Sequence, residues 1–193
     1  MNKNRLEAFS DGVLAIIITI MVLEIKLPKD ASWRALESLL PVLESYLLSF
    51  IYIGIYWNNH HHLIHSTRRV NGKILWANLH LLFWLSLVPL ATRWNGENNF
   101  TETTMALYGL ILLMSGFAYF ILQSIIIKSQ GENSILKAAI GKDVKGKASL
   151  LLYIVGIIFS FYNVWISGSI YIIVALMWLI PDKRIERTFD QIS

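Results

Sequence analysis

Six apolar stretches, five of about twenty residues and a shorter sixth, leave this chain few ways to fold. An apolar segment of that length matches a hydrocarbon layer roughly 30 Å thick, where backbone groups must bond within their own helix. The segments are 5–25, 40–63, 73–92, 104–127, 148–165 and 167–180. The last two divide an apolar block, 147–180, that is too long for one span; Asn163, Ser167, Gly168 and Ser169 mark a break near its middle. The fold expected is an all-α integral membrane protein, one domain over 1–193 with six transmembrane helices. Composition agrees, because only 16% of residues are charged, against roughly 25% in soluble domains.

An even number of spans places both termini on one side. Thirteen Lys and Arg residues would then share that side (Lys3, Arg5, Arg68, Arg69, Lys73, Lys128, Lys137, Lys142, Lys145, Lys147, Lys183, Arg184 and Arg187). Only Lys26, Lys29, Arg34 and Arg93 would lie opposite. Cytoplasmic loops carry the excess of basic residues, so both termini are expected in the cytoplasm and the protein in the cell inner (plasma) membrane. The net charge of +4 follows from this topology, and nucleic acid is not an expected partner. The first segment lacks a small-residue cleavage site and is expected to stay in the mature chain. Trp94 and Trp178 fall near span ends, where amphipathic rings favour the interface. The polar segment 129–147 reads as a cytoplasmic connector, and Pro181 lies just past the last span.

Polar residues inside the apolar segments mark one layer. The first segment carries Arg5, Phe9, Ser10 and Asp11 at its start; the second ends Tyr56-Trp57-Asn58-Asn59-His60-His61-His62; the third begins with Trp76, Asn78 and His80. Alternating direction brings these three sets to the same depth. Ionisable groups in a membrane are costly unless paired, so Asp11 is expected to accept from an imidazole, an amide, the Trp57 indole or Arg5. The simplest reading is a hydrogen-bonded buckle joining three helices.

A sharper reading is available for the histidines. His61 and His65 stand one helical turn apart, a spacing that suits two imidazole ligands. No acid lies between them, unlike the H-E-x-x-H arrangement, so no metal or other cofactor is expected. A structural or pH-sensing cluster fits better. Nucleophile elbows, P-loops and dinucleotide fingerprints are absent, and cysteine is lacking altogether; the chain does not read as an enzyme. Gly54, Gly109, Gly116 and Gly156 are expected to let helices approach closely, and Pro89 to kink the third span.

Ile16, Thr19, Ile20 and Leu23 follow the i, i+3, i+4, i+7 spacing of one helix stripe. By periodicity alone such a stripe is ordinary core or lipid-facing surface. The residues around it, however, resemble the bacterial branch of the transmembrane protein 175 family of potassium channels. Resemblance rests on Arg-x-x-x-Phe-Ser-Asp at Arg5, Phe9, Ser10 and Asp11, followed by Gly-Val-Leu-Ala-Ile-Ile. It continues through Leu40, Pro41, Leu43, Ser45, Tyr46, Ser49 and Phe50, then Tyr56, Trp57, Asn59, His60 and His61. In the third segment it takes in Leu82-Phe83-Trp84-x-Ser86-Leu87-x-Pro89, and the last three segments match only as hydrophobic spans.

That resemblance implies a homotetramer of six-span subunits in the bilayer, with first helices around a central pore permeable to potassium and other monovalent cations. By position, Ile16, Ile20 and Leu23 would be the apolar constrictions and Thr19 the hydroxyl near them. A serine that some relatives carry before the first isoleucine is Ala15 here. The chain also lacks the T-V-G-Y-G carbonyl filter, which implies weak selectivity and gating by dewetting. The competing reading is a proton-coupled secondary transporter using Asp11 and the histidines; it calls for a midplane charge or an internal repeat, and neither is present.

Overall fold

The computed structural model describes residues 2–67, 69–131, 136–137, 141 and 143–179. These form eight helices and no strands: α1 (Lys3–Leu23), α2 (Trp33–Glu37), α3 (Leu40–His65), α4 (Gly72–Ser86), α5 (Val88–Glu97), α6 (Glu102–Gln130), α7 (Val144–Ser160) and α8 (Val164–Leu179). Among the described residues four helical segments are long and apolar enough to cross a membrane, namely Lys3–Leu23, Leu40–His65, Gly72–Glu97 and Glu102–Gln130. The remaining apolar pair, α7 and α8, have 17 and 16 residues, each about 25 Å long and slightly short of the hydrocarbon thickness.

Helix ends follow local chemistry. Asn2, Asn71 and Asp143 cap α1, α4 and α7 through side chains that accept backbone N–H bonds. Pro89 enters α5 at its first turn, and the chain breaks between Ser86 and Val88. The expected kink is therefore a division of the third span into α4 and α5. This span also runs further than the sequence suggests, to Glu97 rather than 92, because Arg93 and Asn95 find partners that let the helix continue.

The break within the last apolar block lies at 161–163, ahead of the expected boundary at 165–167; of the residues that mark it in the sequence, Asn163 sits in it and Ser167, Gly168 and Ser169 do not. Asn163 accepts from the N–H groups of Trp165 and Ile166 and so starts α8. Ser167, Gly168 and Ser169 are helical; the Ser169 hydroxyl bonds the Trp165 carbonyl one turn back, a pairing that suits an apolar medium. Within the connector 129–147, residues 132–135, 138–140 and 142 lie outside the described residues, as do Arg68, Pro181, Lys183, Arg184 and Arg187.

α3 and α6 occupy the middle of the bundle. α1 packs on α3, α4 and α5, while α7 and α8 pack on α6, and α8 also on α3. The core between these groups includes Tyr52, Tyr108, Tyr153 and Tyr171. Tyr171 fits where side chains are missing: a Cβ on Gly109 would stand 1.9 Å from its hydroxyl, and one on Gly156 would stand 2.5 Å from its ring. Gly116 is also tight, 3.2 Å from Leu150, whereas Gly54 faces open space and permits no close approach. Outward faces remain apolar, with Leu47, Phe50, Leu151, Ile158, Ile172 and Leu176 all exposed. A surface of that character belongs in lipid or against another subunit.

Candidate functional site

α1 has two faces. Leu6, Ser10, Leu14, Ile17 and Met21 are buried against the bundle. On the other side Ile16 is 59% exposed, Ile20 42% and Leu23 76%, and Thr19 is exposed beside them. All four residues of the sequence stripe therefore share one unpartnered face. The Thr19 hydroxyl bonds the Ala15 carbonyl at 2.9 Å, leaving its lone pairs outward.

Buried polar groups fix the rotation of that helix. Asn78 of α4 donates its amide to Ser10 Oγ at 3.0 Å, and its Oδ1 lies 2.6 Å from His60 Nε2 of α3. Ser10 in turn donates to the Leu6 carbonyl at 2.9 Å. All three side chains are fully buried. Asn78 Oδ1 can only accept, so His60 presents an Nε2–H; its Nδ1 is buried without a partner among the described residues. This arrangement suits a neutral imidazole, since a second ring proton would find no acceptor. Beside it the Trp57 indole donates to Asp11 Oδ1 at 3.1 Å.

The three-helix buckle read from the sequence is thus present, but with fewer members. Arg5 and Phe9 are exposed on the outer face of α1 and do not enter it. Trp76 is 75% exposed, because the buried stripe of α4 runs through Ile74, Ala77, Asn78, Leu81 and Leu85 and Trp76 falls off it. Asn59 bonds its own helix at the Ile55 carbonyl, and His80 receives the Trp84 indole within α4. His61 Nδ1 lies 2.6 Å from Glu7 Oε1, an acid from a neighbouring helix, and its ring stacks on His65. Among the described residues no three His, Asp or Glu side chains gather as metal ligands.

Two fastenings leave little trace in the sequence. Lys3 Nζ donates to the His65 carbonyl at 2.9 Å, meeting the negative end of α3. At the other end of α1, Arg93 of α5 bonds both Glu24 and Glu97, with Nε to Glu97 Oε1 at 3.0 Å, and Lys26 lies 3.8 Å from the same carboxylate. The i, i+4 spacing of Arg93 and Glu97 is the available signal for half of this cluster.

Long apolar helices with polar groups gathered near their ends define a multi-pass membrane protein, one whose first helix is hydrogen-bonded to its neighbours on one side and exposed on the other. Residues 5–89 match the family model described as "Endosomal/lysosomal potassium channel TMEM175". That match spans α1 to the start of α5 and contains every member of the buried network. A potassium channel of Chryseobacterium sp. (strain P1-3) is 56% identical over 99% of this chain and 100% of its own length. The human endosomal/lysosomal proton channel TMEM175 is 34% identical over 47% of this chain and 20% of that one. A crystal structure titled as a lysosomal potassium-selective channel TMEM175 homolog from Chamaesiphon minutus superposes with a TM-score of 0.82 at 29% identity, covering 93% of this chain and 97% of that one. The chain belongs to the TMEM175 family, and its likeness to these relatives extends beyond the three spans that carry the motifs into the last helices.

Proposed function

We propose that this protein is a potassium-permeable, weakly selective cation channel, assembled as a homotetramer whose four α1 helices surround the pore. The observation that carries this reading is the free face of α1: Ile16, Thr19, Ile20 and Leu23 point away from the bundle while the opposite face is locked by Ser10, Asn78 and His60. A helix fixed in rotation presents the same side chains to a symmetry axis in every subunit. The relatives' names support a channel, and several are potassium channels by name. Six spans with both termini in the cytoplasm of the inner membrane fit the basic-residue asymmetry, with α7 and α8 as the short fifth and sixth spans.

Conduction through such a pore follows from its lining. Rings of isoleucine and leucine exclude water when narrow, so ions pass only when the rings widen. No dense set of carbonyls replaces the hydration shell, and selectivity is modest. Purified protein in planar bilayers under a potassium/sodium gradient tests this reading. The expected reversal potential lies between the two ions' equilibrium values, toward potassium. Leu23→Ala and Ile16→Ala are expected to change current amplitude or selectivity; unchanged behaviour in both would remove α1 from the pore. Slow, pH-linked exchange without unitary currents would favour the transporter instead.

A further inference from the structure

α1 is fastened at both ends, and by opposite kinds of chemistry. At the Asp11 end a buried, neutral run from Ser10 through Asn78 to His60 stands behind the more exposed ties of Lys3, Glu7 and Asp11. At the Leu23 end the fastening is charged and half exposed. Arg93 bonds Glu24 and Glu97, with side chains 37%, 37% and 41% accessible, and Lys26 joins at the rim. Glu24 immediately follows Leu23 and caps α1; residues 25–32 are not helical. The ion pair to α5 is therefore a side-chain tie from the end of α1 to a neighbouring helix. An exposed pair of this kind is weak and salt-sensitive, unlike a buried satisfied network.

We infer that Arg93 is a positioning residue for the outer constriction: by holding Glu24 against α5, it draws the last turn of α1 back toward its own subunit and keeps Leu23 off the pore axis. The inference rests on the pore reading above. Because the Leu23 end is tied by exposed charges and the Asp11 end by buried groups, movement of α1 is concentrated at Leu23.

A double-mutant cycle in bilayers separates this from simple surface charge. Arg93→Gln and Glu24→Gln remove charges of opposite sign but break the same tie. Both are expected to lower open probability in the same direction, on the order of two- to fivefold, the range an exposed ion pair supports. The double variant should add nothing to either single, Arg93→Lys should retain most of the wild-type value, and unitary conductance should stay near wild type in all four. Opposite changes in unitary conductance, or open probability unaltered in both single variants, would overturn the inference and leave these residues as surface charges. Should Arg93→Gln fail to elute as the wild-type assembly, Glu24→Gln alone reads the same tie. Leu23→Ala run in parallel keeps the two readings apart: if it too leaves the current unchanged, the pore assignment fails, whereas an altered current with silent Arg93 and Glu24 variants sinks only the latch.

Discussion

Asn78 serves two helices at once, giving its amide hydrogen to Ser10 on α1 and its oxygen to His60 on α3. Each of the three residues is buried, so each bond lacks competition from water. Replacing Asn78 by leucine strands the His60 N–H and removes the bond that Ser10 Oγ accepts, while the Ser10 hydroxyl still donates to the Leu6 carbonyl. An orphaned buried polar group costs about 1–3 kcal/mol, and His60 would then have neither ring nitrogen paired among the described residues. Asn78→Leu is expected to lower the thermal unfolding midpoint in detergent by more than Ser10→Ala, which strands only the amide. Equal or smaller loss in Asn78→Leu would show that the network carries little of the stability.

Asp11 brings a carboxylate to this layer, and it accepts from the Trp57 indole, with Nε1 at 3.1 Å. Asparagine keeps an acceptor at that place but loses the charge, weakening one charge-assisted bond. Asp11→Asn is therefore expected to reduce the yield or heat stability of the assembled protein while leaving the reversal potential unchanged. Normal assembly with altered selectivity would contradict the anchor role.

What is legible in the sequence and what is concealed divide along physical lines. Ser10, Asn78 and His60 are legible because polar residues inside apolar runs must pair, and alternating spans put them at one depth. Trp76 shares that depth but not the phase: it lies two positions from Asn78, nearly opposite on a helix. The break at 161–163 is legible only through Asn163, because Ser167-Gly168-Ser169 looks like a turn, yet the Ser169 hydroxyl bonds back to the helix. Arg93 looks like a loop charge, since its partner Glu24 lies on another helix and long-range pairing leaves no local pattern. The free face of α1, by contrast, shows in the sequence as a regular stripe at Ile16, Thr19, Ile20 and Leu23.

Gly109 faces the Tyr171 hydroxyl so closely that an added Cβ would come within 1.9 Å of it and 2.6 Å of the ring carbon. The tyrosine is buried and bonded to the Met105 carbonyl at 3.3 Å, so it has nowhere to retreat. Gly109→Ala is expected to cost about 1–3 kcal/mol, as overpacking does in a filled core. Gly54→Ala meets nothing within 4 Å and should be neutral or slightly stabilising, as alanine is the better helix former. Comparing the two melting temperatures checks the packing of α6 against α8 without touching α1.

Thr92 ties α5 to α3 at the level where α4 gives way to α5. Its Oγ1 lies 2.7 Å from both the Val88 carbonyl and the Ser49 hydroxyl, and its own carbonyl accepts from Ser45 at 2.8 Å. Ser49 extends the chain to the Tyr108 hydroxyl of α6 at 2.9 Å. Three helices thus share one run of hydroxyls behind Met21 of α1, whose sulfur lies 3.9 Å from Thr92 Oγ1. Thr92→Val keeps the shape and removes the hydroxyl, leaving Ser49 and Tyr108 to pair with each other. The expected loss is about 1 kcal/mol, one net hydrogen bond. Thr92→Val/Ser49→Ala should cost less than the sum of the single changes, because both remove the same bond. Strictly additive losses in thermal unfolding would mean that the two hydroxyls act independently, and that α5 is held against α3 by Ser45 and apolar packing alone.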